Sequence, residues 1–489
     1  MSDKKNASGS IGVSMFWSFL ERISAQLVSV IVGIILARLL TPDEYGIIAI
    51  VMIFITLCDV FVTSGFGTAL VQRREVSSIE YNTAFWLSFF ISLVLYAGLF
   101  IAAPLIADFY ELELLTPIIR VFGIRLILTS LNTIQLAKVQ REMQFKKYFV
   151  STIIGTVVSC IIGVVMAYKG FGVWSLVAQY LSNTFISTLV FVFVCDWIPK
   201  FQFSFRKAKE IWRFGSKVLG ANLISTGVLE IQSFLIGKHF GPADLAVMDQ
   251  GKKYPSLVVN NVNSAISKAM LPYFSKNQEN RALLKNKLRQ TVKFSNYLLC
   301  PLLFGFCAVA PTFVDVVLTS KWSACVPYIQ IFSIMYLTRP LTMIYHQVLL
   351  AIDKAGLAMA LMSGINAVAL LGALFSILVL KEMFAVVIFL LVADLVALVG
   401  FIIAMRVCLS WHIKEQLMDI LPPVLLSVVM FAVVGFLPYL IELSGILMLG
   451  LQILVGFLVY LCLSLLFRVE AFTWILEKGK GFLNKNKGN

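Results

Sequence analysis

Long apolar stretches, interrupted at short intervals by polar clusters, run the whole length of the chain. A bilayer core about 30 Å thick needs about 20 mostly apolar residues per helix. Stretches of that size fall at about 11–39, 45–71, 80–107, 114–137, 146–168, 171–195 and 214–237. They continue at about 242–272, 292–319, 323–350, 354–380, 383–408, 418–440 and 446–468. The pattern predicts an all-α integral membrane protein with fourteen transmembrane helices. The eighth stretch is the most polar, because Asp249, Lys252, Lys253, Asn260, Asn261, Asn263 and Lys268 interrupt it. The first contains Glu21 and Arg22 and exceeds the about 7–15 apolar residues of a signal-peptide core, so it reads as a retained span.

Composition sharpens this picture. Of 489 residues 59% are hydrophobic and only 13% charged, and the mean hydropathy is +0.90. A soluble domain is about 45–50% apolar and about 25% charged, so a soluble enzyme is excluded. The net charge of +14 also finds its place. With the amino terminus set in the cytoplasm, 28 of the 40 Lys and Arg residues fall in inside loops and tails, and 5 fall outside. That bias follows the positive-inside rule. It predicts a multi-pass membrane protein with an even number of spans and both termini cytoplasmic, and it accounts for the basic charge without nucleic acid as a partner. No external loop is long enough to fold as a domain. The eight cysteines are scattered without a CxxC pair, so neither a disulfide framework nor a metal site is expected.

One internal similarity stands out. Residues 34–46 read IILARLLTPDEYG and residues 234–246 read FLIGKHFGPADLA. At a constant offset Arg38 matches Lys238, Pro42 matches Pro242, and Glu44 matches Asp244. Both segments end an apolar helix with a basic residue and a Pro-acid turn. The first and seventh spans run in the same direction, which gives a parallel repeat of six spans, a known transporter plan. The expected organisation is a six-helix bundle at 1–200, a second at 201–410, and two extra C-terminal helices with a cytoplasmic tail at 411–489.

Charged groups at membrane depth are costly and persist where they face a protein interior or a wet cavity. At 1.5 Å per residue, Arg22 and Arg125 lie about 16 Å, and Lys252 about 15 Å, into their spans. Arg339 sits a little to the cytoplasmic side of centre. Helical spacing gathers polar neighbours onto the same faces: Ser18, Gln26 and Ser29 with Arg22; Thr129 and Asn132 with Arg125; Ser256, Asn260 and Asn263 with Lys252 and Lys253. These faces predict a central cavity between the bundles. On spans one, four and eight, Arg22, Arg125, Lys252 and Lys253 meet only Glu21 and Asp249, which favours an anion, and phosphate above others. Arg22, Arg125, Lys252, Lys253 and Arg339 are therefore the candidate ligands of a phosphorylated anion. Ser18, Gln26, Ser29, Thr129, Asn132, Ser256, Asn260 and Asn263 are the candidate lining of the cavity. Glu21, Asp59, Glu230, Asp249 and Asp394 are candidates for ion coupling or for charge pairing with these cations. No catalytic residue, cofactor or nucleotide fingerprint is found, so the energy source is expected to be H+ or Na+, the membrane potential or the substrate gradient.

The stretches ILARLLTPDEYGIIAIVMIF…FGTALVQRREVS (35–77) and LAKVQREMQFKKYF (136–149) resemble the polysaccharide exporters of the MOP flippase superfamily, of the colanic-acid, teichuronic-acid and O-antigen type. The resemblance implies two six-helix bundles around a cationic cavity. It also implies alternating-access translocation of an undecaprenyl-pyrophosphate-linked oligosaccharide to the outer leaflet, with membrane lipids, a polymerase and other polysaccharide assembly proteins as partners. An ion-coupled multidrug or organic-cation antiporter of the same superfamily is the second reading. A membrane glycosyltransferase or polymerase is the third, and it lacks the acidic residues on a sizeable loop that such chemistry requires.

Overall fold

In a computed structural model, the described residues are 24, 26–63, 65–73, 75–195, 197–276 and 280–474, without the side chains of 72, 264–273, 275 and 276. Every regular element among them is helical. The helices are α1 (Gln26–Leu39), α2 (Pro42–Thr63), α3 (Phe66–Gln72), α4 (Ser78–Tyr110), α5 (Leu115–Phe122) and α6 (Ile124–Arg141). They continue as α7 (Phe145–Tyr168), α8 (Val173–Val194), α9 (Phe205–His239), α10 (Pro242–Lys276), α11 (Arg281–Phe313) and α12 (Val326–Met335). The last are α13 (Thr338–Ala351), α14 (Ala355–Phe375), α15 (Met383–Leu409), α16 (Ile413–Leu440) and α17 (Gly445–Leu466).

Among the described residues eleven helices are long and apolar enough to cross a bilayer, against the fourteen expected. The shortfall has local causes. Only the second half of the first expected span is described, as α1. Helix α10, the eighth, has the length but too many polar residues. The tenth is two helices, α12 and α13, parted at Tyr336 and Leu337.

The breaks follow from the sequence. Thr41 and Glu44 form a capping box in which the Thr41 amide donates to Glu44 Oε2 at 2.7 Å, and Pro42 opens α2 where its missing N–H costs nothing. Ser77 and Glu80 cap α4 in the same way. The α5–α6 break falls at Gly123, where a Cβ would lie 2.9 Å from the Tyr96 ring. The α12–α13 break precedes Pro340, whose ring excludes the carbonyl of Tyr336 four residues earlier.

Packing divides the chain into two compact units, Met1–Ala246 and Val247–Asn489. This differs from the division by repeat, because α9 packs along α2, α3 and α4. The reason is visible at both ends of α9. Gly65 and Gly215 meet backbone to backbone, and Phe234 of α9 stacks on Phe109 at 5.2 Å while its carbonyl accepts from Tyr110 Oη at 3.2 Å. The segment before α9 is fastened too. Asn82 accepts from the Lys200 amide at 3.0 Å, Thr83 Oγ1 accepts from the Ser204 amide at 3.1 Å, and Phe201 stacks on Trp86 at 4.7 Å. In the first unit α7 and α8 approach through small residues: Ser151 donates to the Ser187 carbonyl at 2.8 Å, and Asn183 donates to Ser159 at 3.2 Å.

The second unit is built on a core of Leu284, Leu288, Tyr345, Phe401, Met405 and Trp411. Helices α16 and α17 pack on α11 through Ala308, Val309, Met430, Val434 and Tyr460, and leave Phe436, Leu447, Leu454 and Phe457 exposed on their far sides. A buried polar tie secures the same helices: Asp419 accepts two hydrogen bonds from Arg289, at 2.6 and 3.0 Å.

Candidate functional site

Each unit carries one arginine at a broken span, and the two are built alike. Arg125 is the second residue of α6, and Arg339 is the second residue of α13. Three residues earlier stands an aromatic ring: Phe122, with the Arg125 guanidinium 5.9 Å from its centroid, and Tyr336, with that of Arg339 at 4.4 Å. A neighbouring helix supplies an aspartate. Arg125 Nη2 lies 3.7 Å from Asp59 Oδ2 of α2, and Arg339 Nε lies 3.6 Å from Asp394 Oδ2 of α15. Both distances exceed the about 2.7–2.9 Å of a charge-assisted hydrogen bond. Asp59 Oδ1 and Asp394 Oδ2 are buried and accept no hydrogen bond among the described residues. Arg125 also directs Nη1 at Met52 Sδ, 3.5 Å away.

In the second unit more charges surround Arg339. Tyr336 lies within electrostatic reach of Arg339, Asp394 and Asp249 together, and Asp249 faces Lys252 across one turn of α10. The Lys253 ammonium lies 5.7 Å from the centroid of the Tyr254 ring. The structure thus pairs Arg339 with Asp394 near Tyr336, with Asp249 within electrostatic reach of the same ring, and pairs Arg125 with Asp59 in the other unit.

The remaining expected site residues are more dispersed. Ser18, Glu21 and Arg22 lie outside the described residues. Gln26 is half-buried and Ser29 exposed on α1. Asn132 donates to Thr188 Oγ1 at 3.0 Å, tying α6 to α8, and the Thr129 carbonyl accepts the Thr133 hydroxyl at 2.8 Å. Ser256 donates to the Lys253 carbonyl at 2.7 Å, Asn260 is exposed, and Asn263 and Glu230 are half-buried. Asp59 and Asp394, named above as candidates for ion coupling or charge pairing, stand beside Arg125 and Arg339. The charge tally confined to spans one, four and eight counted neither aspartate. Phe122, Tyr336 and Met52 were not expected at the site, although the shared spacing of FGIR (122–125) and YLTR (336–339) in two broken spans marks the aromatic pair.

A cavity of about 560 Å³ lies elsewhere, where α11, α16 and α17 meet the segment 468–471. Its walls are apolar, with Lys293, Asp419, Arg468 and Glu470 among its lining. It contains none of the expected site residues.

Residues 35–327 match the polysaccharide biosynthesis protein family. The chain is 23% identical over 357 residues to the teichuronic acid biosynthesis protein TuaB of Bacillus subtilis, covering 71% of this chain and 73% of that one. It is 24% identical over 311 residues to the succinoglycan biosynthesis transport protein ExoT of Rhizobium meliloti, covering 64% and 63%. It is 21% identical over 325 residues to the lipopolysaccharide biosynthesis protein WzxC of Escherichia coli, covering 66% of each. The matched length is thus between 63% and 73% of these relatives. Among solved structures the fold is similar to the lipid II flippase MurJ in an inward closed conformation, with a TM-score of 0.73 at 14% identity, covering 93% of this chain and 99% of that one. It is also similar to an inward-facing multidrug resistance MATE transporter of the MOP superfamily, with a TM-score of 0.60 at 15% identity over 80% and 96%. The chain belongs to the polysaccharide biosynthesis protein family and is a multi-pass membrane protein with a MurJ-like fold.

Proposed function

We propose that this protein is a flippase that carries an undecaprenyl-pyrophosphate-linked oligosaccharide from the cytoplasmic to the outer leaflet of the bacterial inner membrane by alternating access, for surface polysaccharide export. The family match across residues 35–327 carries the reading. The names of the relatives and the MurJ-like fold agree with it. In this reading the chain has fourteen spans with both termini cytoplasmic, two parallel six-span repeats divided near residue 200, and a C-terminal pair beyond about residue 410.

The pyrophosphate ligands in this reading are drawn from Arg22 and Arg125 of the first unit and from Lys252, Lys253 and Arg339 of the second. Ser18, Gln26, Ser29, Thr129, Asn132, Ser256, Asn260 and Asn263 offer hydrogen bonds to the sugars, and the polyprenyl tail stays in lipid. An arginine fork matches a phosphate bidentately, while the lysines act as point charges.

The test is reconstitution of the full chain in liposomes with a fluorescent undecaprenyl-pyrophosphate-linked sugar, with and without H+ and Na+ gradients. Appearance of the label in the opposite leaflet supports the reading. Absence of flipping, together with gradient-driven extrusion of cationic drugs, overturns it in favour of an antiporter.

A further inference from the structure

The two arginine sites share more than an arginine. Each has a broken span, an aromatic ring three residues before the arginine, and an aspartate on a separate helix at nearly the same distance, 3.7 Å in one unit and 3.6 Å in the other. The breaks arise from different residues, Gly123 in one case and Pro340 in the other. One geometry reached by two routes points to the pair itself as the functional element.

The pair is loosely closed. Neither aspartate reaches its arginine within charge-assisted hydrogen-bonding distance: the Asp394 oxygen that faces Arg339 is buried and accepts no hydrogen bond among the described residues, and at Asp59 the same holds for Oδ1, the oxygen beside the one that faces Arg125. A tight structural bridge in the same chain looks different: Arg289 grips Asp419 with two hydrogen bonds at 2.6 and 3.0 Å. The looser pairs neutralise their arginines without saturating the guanidinium donors. A single weak anion gains little by displacing a carboxylate already in place. A pyrophosphate, which offers several oxygens and more than one charge, gains paired hydrogen bonds and can displace it.

We propose that Asp59 and Asp394 are displaceable counter-ions, which reserve Arg125 and Arg339 for a pyrophosphate group and reclaim them when the cargo leaves. The proposal rests on the flippase reading for its cargo and deepens it by assigning the two aspartates to selectivity and release. They are positioning residues, since they act through the arginines. Removing their charge therefore separates binding from turnover: affinity rises, discrimination falls, and release slows.

The purified full chain in detergent is titrated with inorganic pyrophosphate and, separately, with inorganic phosphate. The same variants are then assayed for flipping of the fluorescent lipid-linked sugar. For Asp59→Asn and Asp394→Asn, pyrophosphate binding is expected to tighten by at least about fivefold, selectivity over phosphate to shrink, and the flipping rate to fall. Asp59→Glu and Asp394→Glu should restore selectivity. The neutral double variant Asp59→Asn/Arg125→Gln separates loss of the site from loss of the fold, and should unfold near the wild-type temperature while binding pyrophosphate weakly. The proposal is overturned if the Asn variants bind pyrophosphate no more tightly than wild type, or lose binding as Arg125→Gln does. Should the Asn variants gain affinity while the wild type flips no lipid-linked sugar, the counter-ion role stands and the flippase reading fails.

Discussion

Arg339 packs against a tyrosine ring at 4.4 Å and faces an aspartate across a gap too long for a hydrogen bond. A flat guanidinium fits between a ring and an oxyanion, whereas an ammonium loses the stack and the fork together. Arg125→Lys and Arg339→Lys are therefore expected to lower transport by at least about tenfold while leaving protein level and unfolding temperature near wild type, a difference of about 1.4 kcal/mol. Initial flipping rates in liposomes check this. Part of this arrangement was legible beforehand. A charge in an apolar run needs no alignment to be noticed, so Arg125, Arg339, Asp59 and Asp394 all stood out as candidates. Which aspartate meets which arginine was not legible, since each partner lies on another helix and only packing brings the two side chains together.

Among elements, the related turns at Pro42 and Pro242 come into direct contact. Gly46 lies so close to the Pro242 main chain that a Cβ built on it would sit 1.8 Å from the carbonyl oxygen. Gly98 of α4, by contrast, has nothing within 4 Å of such an atom. Gly46→Ala should cost about 1–3 kcal/mol, the usual range for overpacking, whereas Gly98→Ala should be neutral or slightly stabilising. Thermal unfolding in detergent compares the two. Nearby, the Lys238 ammonium donates to Glu111 Oε1 at 2.8 Å, joining the end of α9 to the end of α4. That hydrogen bond and the lysine charge hold the Glu111 carboxyl below its ordinary value. A group lowered in this way adds stability above the ordinary carboxylate range and loses it as pH falls through its folded value. Carboxyl titration by NMR should find Glu111 below an unpaired glutamate, and Lys238→Gln should return it to the ordinary value. The turns were readable in the residues, because a proline after a polar cap opens a helix wherever it occurs. The division of the tenth span was not, since a window of about 20 residues averages over the effect of Pro340 on the carbonyl four positions back.

For the molecule as a whole, hydropathy and the loop charges gave the fold class, while the boundary by packing fell elsewhere than the boundary by repeat. Hydropathy says where a helix lies along the chain and nothing about its neighbours, so the attachment of α9 to α2 and α4 was invisible in it. The division between the compact units falls after Ala246, inside α10, where the backbone is helical without interruption. Helical continuity there has a practical consequence for how the chain tolerates length. One residue added after Ala246 must rotate Lys252 and Lys253 by about 100° relative to Pro242, since a helix takes 3.6 residues per turn. An extra residue between Ile198 and Pro199 has an irregular stretch in which to be absorbed before Lys200 and Ser204 are fastened to α4. Inserting a single alanine at each place should therefore silence surface polysaccharide production in the first case and spare it in the second, at equal protein levels. In α10, phase along the helix is a setting as exacting as any side chain.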